Sequence, residues 1–369
     1  MDFTLSETQH ELAALTRQIV TDQMTQDRLK ALERQPSHFD RDLYAALAHA
    51  GVLAAALPES IGGGGLDLLE QCSVLVELGR EVAPVPYLES IVLSAAAIGH
   101  FGTDAQREQW AKPAADGALV LVPALSEDLV DSMDRPTTRA ERSGDTWTIT
   151  GTKAVVPFGA IADAFVIPAV SDDGPSLFIV AADAPGLTIT PEVYVDGDQV
   201  ASLELSRVRV DESLRFGNFD ILHWLSVRAT IGTCALQLGV LERALELTVE
   251  YARERKQFDR PIGSFQAVAQ RMADAYIDVE ALRLTMWQAA WRKANAVHGM
   301  EPMSTAKFWA AEAGHHVAHT AVHVHGGAGI DVDAPTHRYF LAAKRNEFLL
   351  GSGMTHLRAL GAVLAATPA

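Results

Sequence analysis

The sequence has few cysteines, a deficit of basic residues and no long uninterrupted hydrophobic run. Cys72 and Cys234 are its only cysteines, far apart and outside any CxxC or Cys/His spacing, which argues against a zinc site and favours a reducing compartment. Thirty Lys and Arg against 47 Asp and Glu give a net charge of -17, which argues against binding to nucleic acid or anionic lipid. No run of about 18 apolar residues occurs, and the N-terminus has no basic segment followed by an apolar core. We therefore expect a cytoplasmic protein without a signal peptide or a membrane span.

The 369 residues, 48% of them hydrophobic, suffice for two or three domains with a substantial core. Apolar residues recur at helical spacing in the first part, which opens with a capping-box signal at Ser6 and Gln9. In the middle the period falls to near 2 and Thr, Val and Ile become frequent, and afterwards the helical period returns. The pattern predicts an α+β protein with an N-terminal helical domain (1–113), a middle antiparallel β-barrel or sandwich domain (114–215) and a C-terminal helical domain (216–369).

Individual elements are predicted from the same periods and from turn residues. The predicted strands are Ala118–Val122, Thr146–Thr150, Ala164–Ala169, Ser176–Ala181 and Ala201–Val210. The predicted long helices of the last part are Leu225–Arg255, Ser264–Asn295, Met303–His325 and Thr336–Leu349.

Several histidines share one predicted helix. His315, His319 and His323 are spaced i, i+4, i+8, with His316 and His325 beside them, so their imidazoles could face one side and bind a metal. No acidic ligand or HExxH pattern accompanies them. A packing or polar-interface role is therefore favoured, and no metal site is predicted.

The most specific segment is VEYARERKQFDRPIGSFQAVAQRMA, residues 249–273. A helix is expected to end near Lys256 and to restart around Ser264, after the connection that begins at Pro261. Arg255 and Phe258 could serve a diphosphate and an aromatic ring together, because Arg pairs with phosphate and Phe offers a stacking face. Alternatively, the basic residues only favour the helix dipole.

Within that segment YARERKQFDRPIGSFQ resembles the hallmark of flavin-dependent acyl-CoA dehydrogenases, as does VHVHGGAGI at Val322–Ile330. LPESIGG, ALSE, GTKAVVPFGAIAD and HRYFLAAKRNEFLLGSG extend the resemblance over essentially the whole chain. The resemblance implies the acyl-CoA dehydrogenase fold, with a four-helix bundle at the C-terminus, and FAD as cofactor. It also implies a reaction in which a carboxylate takes the α proton of an acyl-CoA thioester while flavin N5 accepts the β hydride.

The catalytic base of the family has no counterpart in this sequence. The usual base is a Glu in a Tyr-Glu-Gly-Thr tract, where this chain has Leu350, and a minority of the family carries the base on a helix, where this chain has Ala229. Neither side chain can take a proton. Glu347 is the nearest alternative, but its simpler interpretation is a surface charge paired with Arg345 or Lys344.

Only one half of the family's flavin site is retained. Val155 and Pro157 stand where relatives have the Trp and Thr that face the isoalloxazine, and DLVDSM follows ALSE instead of a Gly-Ser-Asp tract. In the family a second set of residues binds the adenosine diphosphate part of FAD in a neighbouring subunit. The corresponding residues here are Arg255, Phe258, Gln266, His323, Gly326 and Gly327, with His323 replacing a Gln.

This combination is similar to the non-catalytic subunit of heteromeric α2β2 acyl-CoA dehydrogenases that degrade sterol side chains. It implies a homologous catalytic partner subunit, FAD shared at the subunit interface, an acyl-CoA substrate with a bulky acyl group, and an electron-transfer flavoprotein as acceptor. Two alternatives stay open. The chain could be a self-sufficient homotetrameric dehydrogenase with a relocated base, or a non-catalytic binding paralogue.

Overall fold

The computed structural model describes residues 4–128, 130, 132–194, 196–297 and 299–366. Internal contacts group the chain into two compact units. The helical unit contains residues 1–26, 72–83 and 230–369, and the sheet unit contains residues 27–71 and 84–229. Each unit combines stretches distant in sequence, so this grouping is of a different kind from the three consecutive segments above, whose boundaries remain a prediction.

Helices occupy the first and last parts of the chain, as the hydrophobic period predicts. They are α1 Glu7–Gln23, α2 Gln26–Leu32, α3 Arg41–His49, α4 Leu68–Arg80, α5 Ala96–Phe101, α6 Asp104–Gln106, α7 Lys112–Ala115, α8 Phe219–Glu254, α9 Gln266–Ala294, α10 Glu301–His325, α11 Thr336–Phe348 and α12 Gly353–Ala366. A π-helical stretch, Tyr87–Ala95, precedes α5. The predicted capping box is confirmed, because Gln9 N donates to Ser6 Oγ (3.1 Å) and Ser6 N donates to Gln9 Oε1 (2.7 Å).

The middle of the chain forms one mostly antiparallel sheet. Its strands are β1 Leu121–Pro123, β2 Arg139–Ser143, β3 Thr146–Pro157, β4 Ala164–Ser171, β5 Gly174–Ala181, β6 Leu187–Val193, β7 Gln199–Asp211 and β8 Arg215–Phe216. The spatial order is β6-β7-β3-β2-β4-β5-β8, and β1 pairs with β4 in parallel. The order of helices, sheet and helices along the chain is therefore confirmed.

Three of these strands, β2, β6 and β8, are missing from the sequence prediction, which also ends β3 too early at Thr150. β2 reads RAERS and exposes all but one residue, and β6 lies at the sheet edge with most residues exposed. Strands with no buried face lack the alternation of apolar and polar residues from which strands are recognised. β8 has only two residues, too few to show any period.

The prediction also omits α12, whose sequence GMTHLRALGAVLAA is apolar almost throughout. Only Gly353 and His356 are buried, so its apolar residues do not mark one buried face.

Two stretches of the described residues are long and apolar enough to cross a membrane by length and composition alone. In Phe219–Glu254, 89% of the apolar window is buried inside the protein, as in a core helix. The other, Thr336–Ala366, is 11% buried but consists of α11 and α12, of 13 and 14 residues. Each of these two helices is shorter than the roughly 20 residues that a spanning helix needs.

Glycines allow α4 and α8 to approach closely within the helical unit. A Cβ at Gly239 would lie 1.9 Å from Val76 O, and one at Gly79 would lie 2.2 Å from Leu236 O. No side chain fits at either distance, so any larger residue would separate the two helices. This crossing fixes the direction of α8, whose C-terminal end carries Arg255.

Candidate functional site

The predicted phosphate-binding segment forms a short exposed hairpin after α8. Two-residue strands β9 (Lys256–Gln257) and β10 (Arg260–Pro261) pair, and the turn between them consists of Phe258 and Asp259. Both turn residues are left-handed, with φ +51° and +63°, as a type I′ turn requires. The helices end at Glu254 and restart at Gln266, two residues away from the predicted limits.

Phe258 is held in the solvent by this turn. Its side chain is 88% exposed, and its ring meets Phe265 edge to face at 6.2 Å. A large aromatic residue with positive φ is strained, and an exposed ring buries no apolar surface that would compensate. An exposed aromatic residue at a strained turn is typical of a ligand contact, which supports the interpretation of Arg255 and Phe258 as binding residues.

A stack of two rings joins α8, the helix before the hairpin, to the glycine tract after α10. Tyr251, one turn before Arg255 in α8, stacks on His325 at 4.4 Å and 25°, and Tyr251 Oη lies 3.5 Å from His325 O. Burial lowers the pKa of His325 despite the opposing hydrogen bond between Nδ1 and Ala321 O (2.8 Å). His325 is therefore neutral at pH 7, and Nδ1 donates to that carbonyl.

The glycine tract follows directly at the end of α10. Gly326 has φ +63° and ψ -137°, a conformation open to glycine alone, and a Cβ at Gly326 or Gly327 would meet no atom within 4 Å. The exposed backbone of this turn can therefore be approached closely by a ligand. His323 is also exposed, in the last turn of α10, whereas Gln266 is exposed at the first residue of α9. The Tyr251–His325 stack thus joins the last turn of α8, which precedes Arg255, to the residue before Gly326. No described contact ties Gln266 to the glycines.

The loop at the family's usual base position keeps a defined shape although the base is missing. Leu350 is left-handed, with φ +60°, and its carbonyl accepts a hydrogen bond from His356 Nε2 at 3.0 Å. The buried Lys307 donates to the carbonyls of Asn346 (3.1 Å), Glu347 (3.1 Å) and Gly351 (2.9 Å). These carbonyls at the end of α11 would otherwise lack partners.

Glu347 is bound in an ion pair rather than free to act as a base. Its carboxylate lies 2.5 Å from Lys344 Nζ and 3.5 Å from His315 Nδ1, with 12% of the side chain exposed. The predicted pairing of Glu347 with Lys344 is confirmed, and the residue is partly exposed. Ala229, the other base position, is buried in the sheet unit.

The strand that would face the flavin ring is distorted, and its residues at the two ring-facing positions carry neither an aromatic ring nor a hydroxyl. Val155 has φ +50°, rare for a β-branched residue, inside a register shift between Lys153 and Val156. Pro157 pairs with Val200 but has no N–H to donate to a ligand. Neither the stacking ring nor the hydroxyl that relatives use is present on this strand.

A buried ion pair beside this strand went unrecognised in the sequence. Glu127, in the ALSE tract, accepts hydrogen bonds from Lys153 Nζ (2.6 Å) and from the backbone N–H and hydroxyl groups of Thr137 and Thr138. Burial alone would raise the pKa of Glu127, but the charge and hydrogen bond of Lys153 and the threonine hydroxyls lower it to about 2. The pair is separated by 26 residues in sequence, and no spacing rule relates them.

Asp134, which follows Glu127 by seven residues, makes a second set of polar contacts. Asp134 Oδ2 lies 2.8 Å from His223 Nδ1, and Asp134 Oδ1 accepts a 2.5 Å hydrogen bond from Ser226 Oγ. The Ser226 hydroxyl donates to Asp134 and to the backbone carbonyl of His223 (3.1 Å). One carboxylate therefore binds both partners, and the trio lacks the Ser–His–Asp order of a nucleophilic triad. Asp134 directly follows the DLVDSM tract and is bound by residues of its own unit. Leu129 and Asp131 of that tract lie outside the described residues.

The histidines of α10 contact carboxylates and aromatic rings. His315 lies 4.5 Å from His319, which meets Phe340 edge to face at 5.2 Å, and His316 Nδ1 lies 3.4 Å from Asp278. In the described part of the chain no group of three or more His, Cys, Asp or Glu is placed to hold a metal ion.

Comparison with known families identifies the chain. The sequence profiles "Acyl-CoA dehydrogenase, N-terminal domain", "middle domain" and "C-terminal domain" match residues 6–118, 126–208 and 227–365. The chain belongs to the acyl-CoA dehydrogenase family, whose members act on acyl-CoA thioesters and bind FAD.

Individual relatives match over the full length. Acyl-CoA dehydrogenase FadE27 of Mycobacterium tuberculosis is 47% identical over 377 residues, which cover 100% of both chains. A chain of the ChsE4-ChsE5 complex from Mycobacterium tuberculosis superimposes with a TM-score of 0.96 at 48% identity and 100% coverage of both chains. A variant of the Tcur3481-Tcur3483 steroid ACAD gives a TM-score of 0.94 at 41% identity, covering 98% of this chain and 99% of that chain.

The two sets of flavin residues differ in how well they fit FAD. The hairpin and the glycine turn offer what a nucleoside diphosphate needs, namely an exposed guanidinium at Arg255, an exposed ring at Phe258 and open backbone at Gly326. The side chains of Val155 and Pro157 offer neither an aromatic ring nor a hydroxyl to the isoalloxazine. The chemistry of the first set fits the adenosine diphosphate part of FAD, and the side chains of the second set do not fit the ring.

Proposed function

We propose that this chain is the non-catalytic subunit of a heteromeric, cytoplasmic, FAD-dependent acyl-CoA dehydrogenase. It completes the FAD site of a homologous subunit that carries the base. One observation carries the proposal: the base and the ring contacts are both missing, whereas the strained hairpin and the open glycine turn are kept. Random decay would not spare a strained, exposed Phe258, because nothing in the chain's own stability favours it.

In the proposed complex each part of the half-site has a separate task. Bound FAD supplies the hydride acceptor, and the partner subunit supplies the base. Arg255 binds the diphosphate, Phe258 covers the nucleotide with its ring, and Gly326 and Gly327 let the backbone approach it. The Tyr251–His325 stack positions the hairpin's helix against the glycine turn.

The relatives support both the partner and the substrate class. One similar chain belongs to a complex of two differently named subunits, and another belongs to a protein described as a steroid ACAD. We therefore assign the substrate as a steroid side-chain CoA thioester, with an electron-transfer flavoprotein as acceptor. Turnover of a steroid-CoA at least tenfold faster than that of butyryl-CoA would support this assignment. A preference for butyryl-CoA would overturn it.

Flavin content tests the proposal directly. The chain purified alone is expected to be colourless, because Val155 and Pro157 cannot hold the ring. Purified with a base-bearing homologous subunit, it is expected to be yellow, with one FAD for each pair of unlike chains. Absorbance at the flavin band and the FAD released on denaturation measure this ratio. A full complement of FAD in the lone chain would contradict the proposal.

Glu347 provides the test against a relocated base. Glu347→Gln in the active complex is expected to leave turnover within about twofold of the unmodified complex, because the carboxylate is already paired with Lys344. Steady-state rates at saturating acyl-CoA measure the effect. A loss of 100-fold or more, the order expected on removing a general base, would reinstate the homotetramer with its own base.

A further inference from the structure

The hairpin carries a second guanidinium on the same face as Arg255. Arg260 is directly opposite Gln257, and opposed residues of an antiparallel pair point to the same side. Arg255 lies two residues before Gln257, and Ile262 N donates to Arg255 O at 2.8 Å, so the ladder continues to Arg255. Alternation along the strand then places Arg255 and Arg260 on one face.

The Arg260 guanidinium lies over an aromatic ring. Its Cζ lies 4.0 Å from the centroid of Phe265, which also contacts the edge of Phe258. A stacked guanidinium keeps the N–H groups at its edge available for a planar or anionic ligand. Within the described residues, Arg260 makes no hydrogen bond or ion pair through its side chain.

We propose that Arg260 is a second diphosphate-binding residue, which binds the same nucleoside diphosphate as Arg255 and is positioned by Phe265. This inference rests on the proposed function, since it extends the half-site for the adenosine diphosphate part of FAD. Two guanidinium groups on one face match the two phosphates of a diphosphate. Phe258 lies at the turn between them, where its ring can cover the nucleotide.

The test uses the full chain in complex with the base-bearing subunit, freed of FAD and titrated with FAD. Arg260→Ala is expected to raise the FAD dissociation constant about tenfold at low salt, the effect of losing one charge-assisted hydrogen bond. The difference should shrink in about 1 M salt, where exposed charges are screened. Arg260→Lys keeps the charge but not the planar guanidinium. Its FAD dissociation constant is expected to lie between those of the unmodified complex and Arg260→Ala.

Arg271→Ala is the matched control, because Arg271 is exposed on α9 outside the hairpin and its loss changes the net charge equally. Equal effects of Arg260→Ala and Arg271→Ala would overturn the inference, as would a tenfold loss that salt does not reduce. Arg255→Ala separates this failure from that of the proposed function. If Arg255→Ala weakens FAD binding and Arg260→Ala does not, only the role of Arg260 is wrong. If neither weakens it, the half-site itself is wrong.

Discussion

Replacing Glu127 by leucine is expected to lower the free energy of unfolding by about 3–5 kcal/mol. The change removes the carboxylate from an ion pair whose side chains are 3% and 0% exposed. Lys153 would then be a buried ammonium whose remaining partner is the carbonyl of Pro168, at 2.8 Å. The N–H groups of Thr137 and Thr138 would also lose their acceptor. Urea-induced unfolding at pH 7 measures the loss.

Two further variants give this experiment its controls. Lys153→Met is expected to cost less than Glu127→Leu, because the carboxylate keeps its four hydrogen bonds to the threonines. Glu141→Leu, on the exposed side of β2, removes the same charge and is expected to change stability by less than about 0.5 kcal/mol. An equal loss of unfolding free energy from Glu127→Leu and Glu141→Leu would show that the buried Glu127–Lys153 pair does not stabilise the protein.

The residues of the proposed half-site can be nominated from sequence because they lie in short motifs, and their role stays a prediction. Arg255 and Phe258 are three residues apart in one hairpin, and Gly326 adjoins Gly327, so a short motif contains the whole geometry. The buried Glu127–Lys153 pair could not be predicted in this way. Neither residue has a sequence neighbour that marks it as paired. Only the register of β3 in the sheet brings the two side chains together.

The missed helix α12 and the missed strands β2 and β6 share one physical reason. Periodicity reports the burial of one face, and it is absent where an element has no buried face or is apolar on every side. β2 and β6 are examples of the first case and α12 of the second. The left-handed conformations of Val155 and Leu350 could not be predicted either, because neither residue type favours positive φ.

The free energy of unfolding is expected to increase as the pH rises from about 8 to about 10, because the buried Lys307 loses its proton in the folded protein. Burial lowers the pKa of Lys307 to about 8, whereas an unfolded lysine titrates at about 10.4. Between these values the unfolded chain binds the proton and the folded chain has released it, so raising the pH favours folding. The stability gained from Lys307 by pH 10 is about 2–3 kcal/mol.

The comparison of the unmodified chain with Lys307→Met isolates this contribution. Lys153, whose pKa burial also lowers to about 8, adds the same slope to both proteins and cancels in the difference. Lys256→Met, at an exposed position of β9, is the control and should leave the slope unchanged. Urea unfolding at intervals of half a pH unit gives the three curves.

A parallel shift of the Lys307→Met curve, with no change of slope, would mean that Lys307 stays charged throughout and acts only through its three carbonyl partners. A smaller slope would show that the folded protein keeps a buried lysine in α10 whose charge opposes folding below pH 8. The buried charge costs stability, but it fixes the shape of the loop. Lys307 donates to carbonyls on both sides of the left-handed Leu350. The loop at the usual base position would then be held in place by a buried amine, although Leu350 itself can take no proton.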